Sequence, residues 1–482
     1  MKGLNSLEPK RVFHYFQEIS RIPRCSYDEE NISNYIKNVG EKLGLETIQD
    51  HALNVIIRKP ATPGYENAQG VVLQGHMDMV CEKEDDSHHD FTRDPIELII
   101  EGDFIRANKT TLGADNGIAI AMGLAIMEDD SLQHPALELL VTTSEETGME
   151  GAFALSEDAL KGRRLLNLDS EEEGILTSGS AGGELIEITI PIRYSQVENL
   201  IRVSLEVRGL LGGHSGIDID RPRGNANKIL NTLLLKLRKD LDIGLISIEG
   251  GTKDNAIPRS SVAKIALRSE DYSTFTSKVE EIKNEIKNSH TIEETNMEVV
   301  IVKEDKADKI LTEDTFDTIT FLLESLPTGV NTRLAQDNKI VESSSNLAII
   351  ETGEDKISIK LSNRSSSESV LLDQRKKIVA EIDKTNAKYD ISGKYPGWEY
   401  APISELRETA LGLYKRLYGQ EMKAIVIHAG LECGILAHKY PDMDIISFGP
   451  DMYDVHTPQE RVSIPSTGRL YTYLVELLRE LK

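Results

Sequence analysis

The sequence predicts an α/β protein in which one domain, a mixed sheet flanked by helices, is interrupted by a large α+β insertion. Short apolar strands alternate with helices as far as residue 184, and longer strands with amphipathic helices replace them over residues 185–397. The first pattern returns over residues 398–482. A chain of 482 residues is also too long for one ordinary core. We therefore predict that residues 1–184 and 398–482 form one domain around the insertion.

The composition is typical of a soluble globular protein and argues against several classes of partner. Apolar residues make up 39% of the chain, and no apolar run approaches the roughly 20 residues of a membrane span. A net charge of −25 argues against nucleic acid or an anionic membrane as a partner. The first residues lack an apolar signal core, and the cysteines, Cys25, Cys81 and Cys433, are scattered. We therefore expect a cytoplasmic protein with neither a disulfide framework nor a thiolate zinc site.

Polar residues follow several predicted strands of the first 184 residues. A buried strand within GVVLQGHMDMV leads to His76 and Asp78, and a helix over residues 117–128 begins just after Asp115. Two further strands, at 137–143 and 164–168, are followed by Glu145, Glu146 and Asp169. Strand ends are where open α/β sheets place their chemistry. Each residue alone is also compatible with helix capping or a solvated surface, but so many together favour a shared site.

The pattern of the insertion indicates two halves with a similar order of elements. The first half contains predicted helices at 225–241 and 272–287, and the second contains helices at 313–326 and 368–384. Strands with alternating polarity lie between these helices in both halves. The halves match in pattern and not in residue identity, so the pattern predicts a duplicated α+β domain.

The chemistry available to this set of residues is that of a metal site. In the last part of the chain His456 follows a strand at 445–448 and adds a second imidazole. Imidazoles and carboxylates without thiolates suit Zn²⁺, Mn²⁺ or Co²⁺ in catalytic coordination. The carboxylates exceed the needs of one tetrahedral ion, whereas two ions about 3.5–4 Å apart can share one carboxylate and a water. Of the neighbours Glu145 and Glu146, one can then bind metal while the other transfers protons.

The motifs HMDMV, TLGADNG, SEETG, NLDSE and DVHTP occur in this order around the insertion. With them the chain resembles the M20 family of di-zinc metallopeptidases and, within it, the aminoacyl-histidine dipeptidases. The resemblance extends over nearly the whole chain, through GGHSG, GGTKDNAIPR, YPGW and HAGLECG. It implies a split catalytic domain of the zinc-peptidase type and an inserted domain that acts as a lid.

The resemblance implies a role for each residue of the metal site. It implies that one zinc is bound by His76 and Asp169 and the other by Glu146 and His456, with Asp115 bridging both. Asp78 would support His76, and Glu145 would act as general base and acid. A cis peptide bond after Asp115 is also implied.

The resemblance further implies substrate contacts from the insertion and from the HAGLECG motif. His214, in the glycine-rich GGHSG turn, is suited to donating a hydrogen bond to a developing oxyanion. Asn255 and Arg364 resemble residues that hold the substrate's C-terminal carboxylate. Gly430 and Glu432 would line the pocket, with Glu432 facing the substrate's ammonium group.

The activity implied is that of a metal-dependent dipeptidase acting on unblocked dipeptides, Xaa-His among them. Two divalent ions per chain are expected, with Zn²⁺ ahead of Mn²⁺ and Co²⁺, and a homodimer is one option for the assembly. The alternatives are an M20-type tripeptidase, an N-acyl amino-acid deacylase, or a non-catalytic peptide- or metal-binding protein. Loss of the base or of a ligand would favour the last, but all of these residues are present.

Overall fold

The computed structural model describes residues 4–289, 293–294, 296–334 and 338–482. The chain forms two compact units. Unit 1 comprises Met1–Gly179, Tyr400–Val426 and Leu431–Lys482, and unit 2 comprises Ser180–Glu399 and Ile427–Gly430. Both units combine sheets with helices, which confirms the predicted mixed α/β class.

The elements are numbered in chain order. The first stretch contains α1 (Lys10–Ile19), α2 (Glu30–Lys42), β1 (Glu46–Gln49), β2 (Val55–Lys59), β3 (Val71–His76), β4 (Leu98–Glu101), β5 (Phe104–Ala107), α3 (Ala114–Glu128), β6 (Leu137–Thr142), α4 (Glu150–Ala154), β7 (Arg164–Asn167) and β8 (Ile175–Ser180). The insertion contains β9 (Gly182–Pro191), β10 (Tyr194–Arg208), β11 (Gly213–His214), α5 (Ala226–Asp240), β12 (Gly244–Gly250), β13 (Ala256–Ile257), β14 (Ser261–Arg268), α6 (Tyr272–Asn288), β15 (Glu298–Leu311), α7 (Glu313–Ser325), β16 (Gly329–Arg333), β17 (Val341–Thr352), β18 (Lys356–Ser365), α8 (Glu368–Ile382) and β19 (Lys388–Tyr395). The last stretch contains α9 (Glu405–Tyr418), β20 (Lys423–Ile427), α10 (Glu432–Lys439), β21 (Asp444–Ser447), β22 (Met452–Tyr453), β23 (Arg461–Ser463) and α11 (Ile464–Glu480).

Unit 1 is built on a mixed sheet with the strand order β1-β2-β6-β3-β7-β21-β8-β20. Its centre is parallel, since β3 pairs in parallel with both β6 and β7, and β7 pairs in parallel with β21. Every residue of β3 is buried, as expected for an apolar strand covered on both faces. The parallel register brings the carboxyl ends of these strands to one edge, where His76 lies opposite Thr142.

Helix α3 packs closely against β3 and β6 because glycines lie at the points of contact. A side chain at Gly123 would collide with Leu139, and one at Gly75 would collide with the Asn116 amide. Asp115 and Asn116 have non-helical dihedral angles within the first turn of α3. The close packing therefore brings the irregular start of α3 to the end of β3.

Unit 2 contains a nine-stranded sheet with the order β15-β10-β14-β12-β17-β18-β9-β19, and β16 pairs with β17. The described strands of this sheet pair antiparallel, and β9 buries alternate residues, which suits a sheet with one covered face. Helices α5, α6, α7 and α8 contribute buried residues to the core on that face. The duplication of the insertion stays a prediction.

Two details of unit 1 differ from the sequence-based expectations. Cys25 and Cys81 form a disulfide with their Cα atoms 5.8 Å apart, although the sequence analysis predicted no disulfide framework. The pairing could not be predicted from the spacing of the cysteines, because it depends on a tertiary contact. The chain after β3 lies beside Cys25, where Met79 and Cys25 form an isolated β-bridge. His76 is the last residue of β3 and not the first residue beyond it. Among the described residues, no helix combines the length and apolar character needed to cross a membrane.

Candidate active site

Asp115 lies between two histidines in unit 1. Its Oδ1 is 3.1 Å from Nε2 of His76, and its Oδ2 is 3.1 Å from Nε2 of His456. His76 is held at the end of β3, whereas His456 lies in the loop between β22 and β23 with a positive φ of 63°. The two oxygens of one carboxylate therefore face different imidazoles, which is the arrangement that a bridging metal ligand needs.

Two more carboxylates complete the cluster, one beside each histidine. Asp169 Oδ1 lies 3.3 Å from His76 Nε2 and is buried without a hydrogen-bond partner. The carboxylate oxygens of Glu146 lie 2.9 and 3.0 Å from His456 Nε2. Among the described residues, His76, Asp115 and Glu146 offer ligand atoms within 4.8 Å of one another. Separations near 3 Å suit ligand atoms that share an ion at about 2.0–2.2 Å.

The crowding of these groups shifts their pKa values. Burial by itself lowers the pKa of His76, but Asp169 and Asp115 raise it well above its usual value. Hydrogen bonds to Asp115 and Glu146 raise the pKa of His456 to about 11. Burial raises the pKa of Asp169 to about 6, although the charge of His76 opposes this. The buried carboxylates thus strongly favour positive charge beside them, which a divalent cation would also provide.

Asp78 organises the residues around the cluster without belonging to it. Its side chain is fully buried, and its Oδ1 lies 3.3 Å from Nδ1 of His76. The same carboxylate accepts hydrogen bonds from the backbone N–H groups of Glu145, at 3.0 Å, and Glu146, at 3.2 Å. Ser26 Oγ donates a further bond at 2.8 Å. Asp78 is therefore placed to orient His76 and to hold the Glu145–Glu146 loop.

We call the five groups described above, His76, Asp115, Glu146, Asp169 and His456, the acidic cluster of unit 1. Glu145 is half-buried beside it. Burial raises its pKa well above the usual range, and the charges of Asp169, Glu432 and Glu146 act in the same direction, whereas His76 opposes them. The preceding residue, Ser144, has a positive φ of 54° and donates from its N–H and hydroxyl groups to the buried Glu29. The chain therefore turns at Ser144, so Glu145 and Glu146 do not continue the direction of β6.

His214 lies in unit 2, on the short strand β11. Its Nδ1 accepts hydrogen bonds from the backbone N–H groups of Gly216 and Ile217, both at 3.1 Å. An acceptor Nδ1 requires that the proton of the neutral ring is on Nε2. Burial and the positive charge of Arg364 lower the pKa of His214, so the neutral form is favoured. Nε2–H of His214 is then a hydrogen-bond donor.

Arg364 belongs to a second polar group of unit 2. Its guanidinium donates to the hydroxyl of Tyr395 at 3.0 Å, and its Nε is buried without a partner. His428 lies 2.7 Å from the hydroxyl of Ser344, and burial together with the charge of Arg364 lowers the pKa of His428 to about 3. We call His214, Arg364, Tyr395 and His428 the basic cluster of unit 2. It combines one guanidinium with neutral hydrogen-bonding groups.

Asn255 and Gly430, two of the residues predicted to contact substrate, both lie in unit 2. Asn255 is exposed, and its backbone carbonyl accepts from Ser215 N–H at 2.8 Å, which ties β13 to the GGHSG turn. Gly430, in unit 2, lies so close to the Tyr395 ring that a Cβ there would crowd it.

Glu432, in unit 1, is fully buried. Its Oε2 accepts hydrogen bonds from Gln74 and Thr142, each at 2.7 Å, whereas Oε1 has no partner. Burial raises the pKa of Glu432 to about 8. A buried carboxyl group with one unpartnered oxygen is available to a hydrogen-bond donor or a cation.

Comparison with known proteins identifies the family. Residues 72–480 match Peptidase family M20/M25/M40. The chain belongs to this family. The resemblance inferred from the five motifs is thereby confirmed, and with it the prediction that the chain is a metal-dependent peptidase.

Several known proteins are similar to the chain over its whole length. It is 38% identical to the cytosol non-specific dipeptidase of Escherichia coli strain K12, covering 100% of this chain and 99% of the relative. It matches the crystal structure of aminoacylhistidine dipeptidase from Vibrio alginolyticus with a TM-score of 0.91 and 36% identity, covering 99% and 98% of the two chains. Aminopeptidase PepT from Bacillus cereus shares only the fold, with a TM-score of 0.58 and 14% identity over 98% of this chain and 99% of that one.

Four residues with contacts around the two clusters were not assigned a role in the sequence analysis. Tyr395 begins YPGW and His428 begins HAGLECG, so both lie in motifs that were noticed without being assigned. Glu460 ends the DVHTPQE segment and accepts hydrogen bonds from the backbone beside Asp115. Arg24 lies outside every motif used, and its contacts depend on chain segments that are distant in sequence.

Proposed function

We propose that the chain is a dipeptidase that hydrolyses unblocked dipeptides, Xaa-His among them, with two divalent ions and with Glu145 as general base. The observation that carries the proposal is the position of Asp115, whose two carboxylate oxygens each lie 3.1 Å from a different histidine. The substrate class is supported by full-length similarity to proteins named as dipeptidases. The cytosolic name of one relative supports a cytoplasmic location.

The donor set fits two ions, Zn²⁺ first and Mn²⁺ or Co²⁺ as alternatives. His76 and Asp169 would hold one ion, His456 and Glu146 the other, and Asp115 would bridge them. Imidazole nitrogens and carboxylate oxygens are the ligands these metals share. The unpartnered, buried Asp169 Oδ1 supports this assignment, because such an atom needs a cation or a donor. When bound, two ions lower the pKa of a water molecule and polarise the peptide carbonyl.

Glu145 is proposed to take a proton from the attacking water and to return it to the leaving amine. Its raised pKa suits this role, because a carboxylate that titrates nearer neutrality is the stronger base. Asp78 is proposed to support His76 and to hold Glu145 and Glu146 through their backbone N–H groups. Glu432 is proposed to meet the substrate's ammonium group through its unpartnered Oε1.

The basic cluster of unit 2 is proposed to recognise the oxygen atoms of the substrate. His214 offers a neutral Nε2–H, which suits the oxyanion that develops as the peptide carbonyl is attacked. Arg364 offers a guanidinium, which suits the C-terminal carboxylate. Asn255 and Gly430 are proposed to line the same binding region, as the family resemblance implies.

The test is a hydrolysis assay on metal-stripped protein, with Zn²⁺, Mn²⁺ and Co²⁺ added back separately. Free dipeptides, including Xaa-His, are expected to be cleaved well, and N-acetylated or C-amidated dipeptides poorly, because each free end meets a polar partner. Elemental analysis should find two ions per active chain. Equal rates on N-acetylated substrates would favour a deacylase, preference for tripeptides would favour a tripeptidase, and one ion or none would reject the metal assignment.

A further inference from the structure

Glu460 is a buried carboxylate that accepts hydrogen bonds from four consecutive backbone N–H groups. Its Oε2 accepts from Leu112 at 2.7 Å and Gly113 at 3.0 Å, and its Oε1 accepts from Ala114 at 2.8 Å and Asp115 at 3.4 Å. The first N–H groups of a helix have no partner within the helix. Glu460 therefore provides, from 345 residues away, acceptors for the start of α3, where Asp115 lies.

Glu460 also lies four residues after His456, before β23. One short segment thus carries both a proposed ligand of one ion and the carboxylate that holds the bridging Asp115. A shift of Glu460 would change the position of Asp115 relative to His456, whose Nε2 lies 3.1 Å from Asp115 Oδ2.

Arg24 provides the complementary contacts on the carbonyl side. Its guanidinium is buried and donates to the carbonyl oxygens of Met77, at 2.9 Å, of Asp78, at 3.0 Å, and of Gly113. The first two carbonyls follow His76, and the third is two residues before Asp115. Arg24 thereby joins the chain segments of His76 and Asp115, as Glu460 joins those of Asp115 and His456.

We propose that Arg24 and Glu460 are positioning residues that set the separation of Asp115 from the two histidines and so determine the affinity of the two metal ions. The inference rests on the proposed metal site and adds two residues that touch neither metal nor substrate. Supporting residues around metal ligands typically change metal affinity or activity by about 10–100-fold when altered.

The test compares Glu460→Gln with Glu138→Gln in the full chain. Glu138 is a matched control, because it is buried, accepts backbone N–H groups from Lys161 and Gly162 at 2.8 and 2.7 Å, and pairs with Arg58. Its partners precede β7, at the opposite end of the strands from the metal ligands. Both substitutions should lower Tm, because in each a glutamine amide faces backbone donors.

Only Glu460→Gln is expected to weaken Zn²⁺ binding, by about 10–100-fold in competition with a chromophoric chelator. Its kcat should fall over a similar range while KM changes less than twofold. Wild-type metal affinity and kcat in folded Glu460→Gln would overturn the proposal, and so would an equal loss of metal affinity in Glu138→Gln.

Two further variants keep the test decisive. Glu460→Asp retains the carboxylate on a shorter side chain, so it should fold and show an intermediate loss of affinity; if Glu460→Gln does not fold, unchanged affinity in Glu460→Asp overturns the proposal. Arg24→Lys should also weaken Zn²⁺ binding. If the wild-type chain itself binds fewer than two ions, the proposed metal site fails, and that result is distinct from failure of the positioning role.

Discussion

The acidic cluster of unit 1 and the basic cluster of unit 2 are both built around histidines, but their electrostatics are opposite. His456 is surrounded by carboxylates, and hydrogen bonds to Asp115 and Glu146 raise its pKa to about 11. His428 is half-buried near Arg364, and the loss of solvent together with the charge of Arg364 lowers its pKa to about 3. The same side chain thus favours its charged form in one cluster and its neutral form in the other.

The difference shows what each cluster can bind. Carboxylates with imidazoles favour a cation, so in the proposed function unit 1 holds metal and activates water. A guanidinium with neutral donors favours an oxyanion or a carboxylate, so unit 2 recognises the substrate's oxygen atoms. Variants in unit 1 should therefore affect metal binding or proton transfer, whereas variants in unit 2 should leave metal binding intact.

The largest effect is expected from Glu145→Gln. The amide cannot carry a proton, so kcat should fall by about 10⁴-fold, the upper end for a general acid–base group. Metal content and Tm should stay near the wild-type values, since the backbone N–H that Asp78 holds is unchanged. Glu150→Gln, an exposed position after the same loop, is the control for kcat. A near-normal kcat in Glu145→Gln would assign the base to another residue.

His214→Ala should have the next largest effect. Loss of one oxyanion donor costs about 10²–10³-fold in kcat. KM for a free dipeptide and Zn²⁺ affinity should be unchanged, which separates this variant from changes to the acidic cluster. His438→Ala, at an exposed position on α10, serves as the matched histidine control. If His214→Ala loses Zn²⁺ as well as activity, unit 2 also contributes to metal binding, and the proposed separation of roles between the two clusters is wrong.

Arg364→Met is expected to act on KM. A hydrogen bond to a charged group contributes about 1.5–3 kcal/mol, so KM for free dipeptides should rise by about 10–100-fold. C-amidated dipeptides should be affected much less, because they lack the carboxylate. Arg208→Met removes a partly exposed arginine of unit 2 that pairs with Glu298, and it should change neither value. An equal rise in KM for free and C-amidated dipeptides would show that Arg364 does not recognise the substrate's carboxylate.

The smallest effect is expected from Tyr395→Phe. It removes the hydroxyl that accepts from Arg364 at 3.0 Å but leaves the guanidinium in place. The guanidinium keeps its charge and its other donors when this bond is lost, so KM should rise only about 2–10-fold, less than on loss of Arg364 itself. Combined with Arg364→Met, the Tyr-to-Phe change should add little, because the two residues act through one contact. Full additivity in the double variant would show that Tyr395 acts independently.

The sequence by itself determined the fold class and the residue types of the acidic cluster. Apolar strands that lead to His76, Glu145 and Asp169 are local patterns, and parallel strands bring their carboxyl ends to one edge wherever such patterns fold together. The family motifs then implied which residue serves which ion. These predictions were possible because strand, helix and motif each depend on neighbours along the chain.

Only the tertiary structure decided which groups face one another. Glu460 accepts a hydrogen bond from the backbone N–H of Asp115 across 345 residues of sequence, and the Cys25–Cys81 disulfide spans a separation of 56 residues. The low pKa of His428 arises from burial beside Arg364, which is remote in sequence. Contacts of this kind are set by how whole elements pack, and packing follows from the shapes and charges of many side chains at once, which a local pattern does not contain.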